Sequence, residues 1–188
     1  MQFVKSVVSL DGLPKDRKPH IAFAGRSNVG KSSLINHLAN QKGLARSSKT
    51  PGRTQMINLF DAGAYYLADL PGYGYAKTSK GKRKIFAELI RDYLWDVPEV
   101  ALVIVIVDAR IGATELDQEM IEHLKGSEIP FIIVANKVDK LSTSQARVAI
   151  KTLEEQYPSA VIIPHSAVKK IGKREIEREI KQGVERGA

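Results

Sequence analysis

Residues 20–36 read HIAFAGRSNVGKSSLIN, and the whole chain is organised around them. Ile21 to Ala24 is continuously apolar, as a strand buried on both faces should be. Behind it, Gly25, Gly30, Lys31 and Ser32 satisfy the phosphate-loop spacing G-x-x-x-x-G-K-[ST], and Leu34, Ile35 and Leu38 give the next segment one apolar helical face. Strand, loop and helix therefore occur in the order the motif requires. The glycines let the backbone bend around a phosphate without a Cβ in the way, so the amides of Gly25, Arg26, Ser27, Asn28, Val29 and Gly30 can form an anion nest. The helix start, with Lys31, Ser32 and Ser33, adds unpaired amides and a positive dipole end. Lys31 would reach the β- and γ-phosphates as a point charge, and the Ser32 hydroxyl suits Mg²⁺, a hard cation that prefers oxygen. This stretch implies a nucleotide, but the base and the chemistry must be read elsewhere.

The chain has 188 residues, the size of one domain able to bury about 70% of its unfolded surface. Lys and Arg number 29 against 21 Asp and Glu, for a net charge of +8, spread among apolar runs. This is the composition of a folded, basic protein, and it favours polyanionic partners, meaning nucleic acid, ribonucleoprotein or an anionic membrane surface. There are no cysteines, so disulfides and thiolate metal sites are excluded. The longest apolar run, Val100 to Val107, is too short to span a bilayer, and the N-terminus carries no secretory pattern. A cytoplasmic protein without a transmembrane segment is expected.

Along the chain, residues 1–19 hold Pro14, Pro19 and a KDRK run and suggest a short leading segment. From Gln41 to Thr54 the periodicity stops, a loop long enough to be functional. Met56 to Phe60 and Tyr65 to Ala68 read as an antiparallel hairpin around Asp61-Ala62-Gly63. Further strands are expected at Leu102 to Val107, Phe131 to Ala135 and Val161 to Ile163. Helices are expected around Ile85 to Leu94, Leu116 to Leu124, Ala149 to Leu153 and Ile176 to Val184. This alternation predicts an α/β fold: a mostly parallel six-stranded sheet with one antiparallel edge strand, helices on both faces, and ligands at the carboxyl ends of the strands. The four histidines share no metal-ligand spacing and read as structural or exposed.

Four constellations sit at strand ends. Asp69-Leu70-Pro71-Gly72 places an acid where it can hold a water of the Mg²⁺ shell, and the Gly72 amide where it can meet a γ-phosphate. In Asn136-Lys137-Val138-Asp139, a carboxylate can accept from the N1–H and exocyclic amine of guanine, an edge on which adenine offers no such pair. Asn136 would tie this loop to the phosphate loop, and the Lys137 stem would cover the ring. Ser166-Ala167 could offer amides to the guanine O6. In the long loop, Thr50 or Thr54 could give Mg²⁺ a second hydroxyl, and spacing does not choose between them.

The series GRSNVGKS, TPGRTQ, DLPGYGYA, NKVD and SAV resembles the translation-factor-related GTPases, and among them the EngB-type ribosome-biogenesis GTP-binding proteins of the TrmE-Era-EngA-EngB-Septin-like superfamily. The likeness covers nearly the whole chain. It implies a three-layer Ras-like G domain spanning residues 1–188 that binds GTP or GDP with Mg²⁺. It further implies that Thr54, flanked by Gly52 and Arg53, is the Mg²⁺-ligating switch threonine, and that the large ribosomal subunit particle is the partner. Related potassium-activated GTPases carry an asparagine at the place of Asn28, which makes K⁺ a candidate cofactor. Asn28 then joins Lys31 and Thr54 as catalytic candidates. One departure from the Ras-like pattern is Tyr73, which stands where a water-orienting glutamine would follow D-x-x-G, so slow intrinsic hydrolysis is expected. A monomeric switch is the leading reading. A GTP/GDP-sensing module without useful turnover is its alternative, and a P-loop kinase is disfavoured by N-K-V-D and the lack of an evident lid.

Overall fold

The computed structural model describes residues 1–45, 56–74 and 80–187, and for residues 80–86 the backbone alone. Seven strands form one sheet: β1 (Gln2–Val7), β2 (His20–Gly25), β3 (Ile57–Asp61), β4 (Tyr66–Asp69), β5 (Val100–Asp108), β6 (Phe131–Asn136) and β7 (Val161–His165). Their spatial order is β1-β3-β4-β2-β5-β6-β7. The class is the α/β arrangement anticipated, but the strand count is seven rather than six. The added strand comes from the leading segment, where β1 pairs antiparallel with β3. Only Val7 of β1 is buried, so the segment lacks the alternation by which a half-buried strand is recognised. Phe3 is half exposed and lies edge-on to Phe60, ring centroids 5.7 Å apart. β3 runs against its neighbours and sits one place in from the edge.

The helices are α1 (Lys31–Leu38), α2 (Lys80–Asp96), α3 (Glu115–Lys125), α4 (Thr143–Gln156) and α5 (Lys173–Arg186). Successive residues of a strand point to opposite faces, so β2 sends Ile21 and Phe23 to one side and Ala22 and Ala24 to the other. On the first side they join Leu34, Ile35 and Leu38 of α1 and Ile176 and Ile180 of α5. On the second they join Leu89, Tyr93 and Leu94 of α2, Ile121 and Leu124 of α3 and Leu153 of α4. β5 is buried along its whole length, as the central strand of a sheet covered on both faces must be. Between β3 and β4 the chain turns at Gly63, whose φ is +89° and whose amide donates to Asp61 Oδ1 at 2.7 Å. Such an Asx-stabilised positive-φ turn is what Asp-Ala-Gly favours.

Candidate functional site

The parallel register delivers the functional loops to one rim of the sheet. Phe23 of β2 pairs with Asp69 of β4, Gly25 with Ile106 of β5, Asp108 with Asn136 of β6, and Asn136 with His165 of β7. All of these strands end at the same side, where open α/β sheets take their ligands.

The phosphate loop is compact. A Cβ on Gly25 would lie 2.9 Å from both the Ile106 carbonyl oxygen and Val29 Cγ1, so only glycine lets β2 leave the sheet here. Asn28 and Gly30 have φ of 65° and 108°, and the Val29 amide donates to the Arg26 carbonyl at 3.2 Å, which closes the loop. α1 then begins at Lys31 with Ser32 and Ser33 in its first turn, where amides lack intrahelical acceptors. Lys31 Nζ stands 3.5 Å from Asp69 Oδ1 at the end of β4, too far for a strong hydrogen bond. That oxygen is buried and has no hydrogen-bond partner. Burial pushes the Asp69 carboxyl up, against the opposing pull of Lys31. A buried carboxylate oxygen without a hydrogen bond beside the phosphate loop fits the water shell of a Mg²⁺ ion.

The D-x-x-G segment is folded against the phosphate loop. Ser27 donates its amide to the Tyr73 carbonyl at 3.0 Å and its hydroxyl to the Gly72 carbonyl at 3.3 Å. A Cβ on Gly72 would come within 3.0–3.1 Å of Ser27 Oγ, N and Cα, so a side chain here would press the two loops apart. Leu70, next to Pro71, is buried in the core and donates its amide to Phe23 at 3.1 Å. Tyr73 turns its side chain toward α3 and donates its hydroxyl to Asp117 Oδ1 at 2.8 Å. Asp117 Oδ2 accepts from the amide and hydroxyl of Thr114 at 3.0 and 2.7 Å and so caps α3. Burial, with Asp117 beside it, pushes the Tyr73 hydroxyl well above the usual tyrosine range.

On the other flank, the Asn136 Nδ2 amide donates to the Val29 carbonyl at 2.9 Å. Lys137, in the left-handed region at φ 66°, donates its Nζ to the Asn28 carbonyl at 2.8 Å and to Asp108 Oδ2 at 2.9 Å. The N-K-V-D loop is thus tied twice to the phosphate loop. Asp139 Oδ1 accepts the Ser166 hydroxyl at 2.7 Å, and that hydroxyl also accepts the Lys169 amide at 3.0 Å. The hydrogen bond from Ser166 holds the Asp139 carboxyl below its ordinary value, keeping it an acceptor. Ala167 follows in the same turn before α5. Thr50, Gly52, Arg53, Thr54 and Tyr75 lie outside the described residues.

Several residues that shape this rim escape the motifs. Asp108 ends β5 as Asp69 ends β4, and it takes Lys137 together with the Nε and NH2 of Arg110 at 2.9 and 2.7 Å. Burial opposes its ionisation, but Arg110 and Lys137 outweigh burial and hold the carboxyl far below the usual range. An acid closing the most apolar strand was a signal available in the sequence. Asp117 carried one as well, since Thr114-x-x-Asp117 is a capping-box pattern, although its partner Tyr73 is distant; His37 and His165 had none, because their partners are distant in the chain.

A family model described as a 50S ribosome-binding GTPase matches residues 20–137. Fold and site together define a P-loop GTPase of the G-domain type. The chain is 45% identical to the probable GTP-binding protein EngB of Chlorobaculum parvum, over 91% of this chain and 90% of that one. It is 38% identical to the corresponding protein of Lactobacillus helveticus over 97% and 95%. A crystal structure of a probable GTP-binding protein EngB superposes with a TM-score of 0.73 at 27% identity, over 89% of this chain and 99% of the other. Era, solved with MgGDPNP and a segment of 16S ribosomal RNA, gives 0.67 at 25% identity over 86% of this chain and 55% of Era. The chain belongs to the EngB family of GTP-binding proteins. Among the described residues, no helix is long and apolar enough to cross a membrane.

Proposed function

We propose that this GTPase is a monomeric, slowly hydrolysing switch that works in the cytoplasm on the assembly of the large ribosomal subunit. The guanine-nucleotide half of the reading rests on one observation: Asn136 and Lys137 fasten the base-side loop to the phosphate loop at 2.9 and 2.8 Å. Base and phosphates are then held by one unit. Asp139 accepts from the guanine N1–H and amine, with Ser166 and Ala167 beside the O6. Lys31 and the amides from Gly25 to Ser33 hold the phosphates. Ser32, Thr54 and, through water, Asp69 would hold Mg²⁺, which when bound would neutralise charge on the phosphoryl oxygens. Leu70, Pro71 and Gly72 move as the γ-phosphate comes and goes. Tyr73, engaged with Asp117, leaves the attacking water without an internal glutamine. Catalysis then falls to Lys31, Thr54 and a cation at Asn28, for which K⁺ is the candidate.

The ribosomal half is supported by the description of the matching family and by the charge of +8, which suits a polyanion. Sedimentation of the protein with large-subunit particles tests it. Association is expected in the GTP state, weaker with GDP, and falling steeply with salt because each neutralised phosphate releases counterions. Equal binding in both states, or binding indifferent to salt, overturns the reading. A GTP/GDP sensor without useful turnover remains the second reading, favoured by the engagement of Tyr73 with α3. It requires that particles leave single-turnover hydrolysis unchanged.

A further inference from the structure

A line of polar side chains, part-buried at His37 and buried from His165 inward, runs from α1 to the phosphate loop through two histidines that the nucleotide site does not use. His37 Nδ1 lies 2.9 Å from His165 Nε2, His165 Nδ1 lies 2.8 Å from Asn136 Oδ1, and Asn136 Nδ2 donates to Val29 at 2.9 Å. His165 is fully buried at the end of β7, directly opposite Asn136 in the strand register.

The roles along this line follow from its fixed ends. The Lys137 backbone amide can only donate, and it meets Asn136 Oδ1 at 2.8 Å. The Val29 carbonyl can only accept. The Asn136 amide therefore has one orientation, with oxygen toward Lys137 and nitrogen toward Val29. His165 Nδ1 must then carry a proton to donate to that oxygen. Burial, with His37 next to it, drives the His165 pKa down to about 4, so the ring is neutral and its Nε2 is an acceptor. His37 Nδ1 must donate into it. Around the pair stand Asp139, which faces His165, and Lys173, Lys170 and Glu177, which face His37. Lys173 Nζ also donates to the His37 and Leu38 carbonyls at 2.9 and 3.0 Å and fastens the end of α1.

The Asn136 amide packs directly on the phosphate loop, where a Cβ on Gly30 would clash with its nitrogen. A rotated amide would set its oxygen against the Val29 carbonyl, two acceptors face to face, and release the base-side loop from the phosphate loop. We propose that His165 is a positioning residue for guanine-nucleotide binding, its hydrogen bond to Oδ1 locking the Asn136 amide in the orientation that Lys137 and Val29 set, with His37 fixing the tautomer of His165. The inference rests on the nucleotide site described above.

The test compares two polar replacements of one buried ring. His165→Asn places an amide nitrogen near the position of Nδ1 and keeps the donor to Asn136, whereas His165→Gln reaches the position of Nε2 and loses it. Dissociation of a fluorescent GDP from the full chain is expected to be about tenfold faster for His165→Gln, the scale of one buried hydrogen bond, and within about threefold of the parent for His165→Asn. In an Asn136→Ala background the two variants should dissociate alike, since nothing is left to orient. Equal rates for the two single variants, or a difference that persists without Asn136, overturns the proposal. A merely structural role would lower the melting temperature of both and keep its effect in the Asn136→Ala background. If Asn136→Ala and Asp139→Asn themselves leave nucleotide binding unchanged, the reading of the nucleotide site falls and this inference with it. If those two weaken binding while His165→Gln does not, only the positioning role is lost.

Discussion

The Asp139 carboxylate is held ionised by the Ser166 hydroxyl at 2.7 Å, and an ionised carboxylate only accepts. Replacing it by an amide puts a donor where the guanine amine donates. Asp139→Asn is expected to weaken GTP binding by about 10²-fold or more and to favour xanthosine nucleotides, whose C2 carbonyl accepts from the new amide. Competition of GTP and XTP for the folded variant checks this, and an unchanged preference removes Asp139 from the site. Asn28 poses a second question at this scale. Its backbone is bent into the left-handed region, and its carbonyl is taken by Lys137. Its side chain is exposed at the lip of the loop, where an amide oxygen could hold K⁺ beside the phosphates. GTP hydrolysis is expected to run faster in K⁺ than in Na⁺ at equal ionic strength, since a cation beside the phosphates offsets charge that accumulates on the phosphoryl oxygens. Asn28→Ala should remove the difference. Identical rates for the parent protein in the two salts, with and without ribosomal particles, would leave a partner's arginine or Arg53 as the source of charge.

Between elements, the contact that couples the D-x-x-G segment to the helical layer is the hydrogen bond from Tyr73 to Asp117. Thr114 supplies the other half of the Asp117 environment, so the cap of α3 survives loss of the tyrosine hydroxyl. Tyr73→Phe keeps the buried ring and deletes one bond. It is expected to cost about 1 kcal/mol of stability and to speed hydrogen exchange at the Ser27 amide, which donates to the Tyr73 carbonyl. Exchange at that amide equal to the parent's would mean that Ser27 and Gly72 hold the segment without help from α3.

Over the whole molecule, three histidines fold with their rings held below the ordinary value. His20 is buried against the Tyr93 hydroxyl at 2.7 Å, His37 is partly buried near Lys173, and His165 is lowered to about 4. Unfolded, each titrates near 6.5. Between the folded and unfolded values the unfolded chain binds more protons, so stability rises with pH across that window and is lost as the pH falls below about 6.5. His165 alone accounts for about 3 kcal/mol once the pH is below both values. Urea unfolding at a series of pH values between 7.5 and 4.5 should show this slope, and His165→Asn should flatten it. A midpoint independent of pH through this range would contradict the burial of these rings.

The sequence alone determined what depends on local spacing. The strand, phosphate loop and helix of residues 20–38, the hairpin at Gly63 and the apolar stripes of α2 to α5 are legible because periodicity and glycine placement act between near neighbours. The N-K-V-D and D-x-x-G motifs are legible for the same reason. β1 was not, since an edge strand with five exposed residues is held by pairing to β3, some fifty residues away, and leaves almost no hydrophobic pattern. Nor could spacing show that Tyr73 docks on Asp117, that Asp108 anchors Lys137, or that two histidines 128 residues apart meet at 2.9 Å. Those partners are chosen by strand order and register, which bring Asp108, Asn136 and His165 into one row at the rim. Only the folded sheet sets that row, because a buried polar group must find a partner wherever the packing puts one.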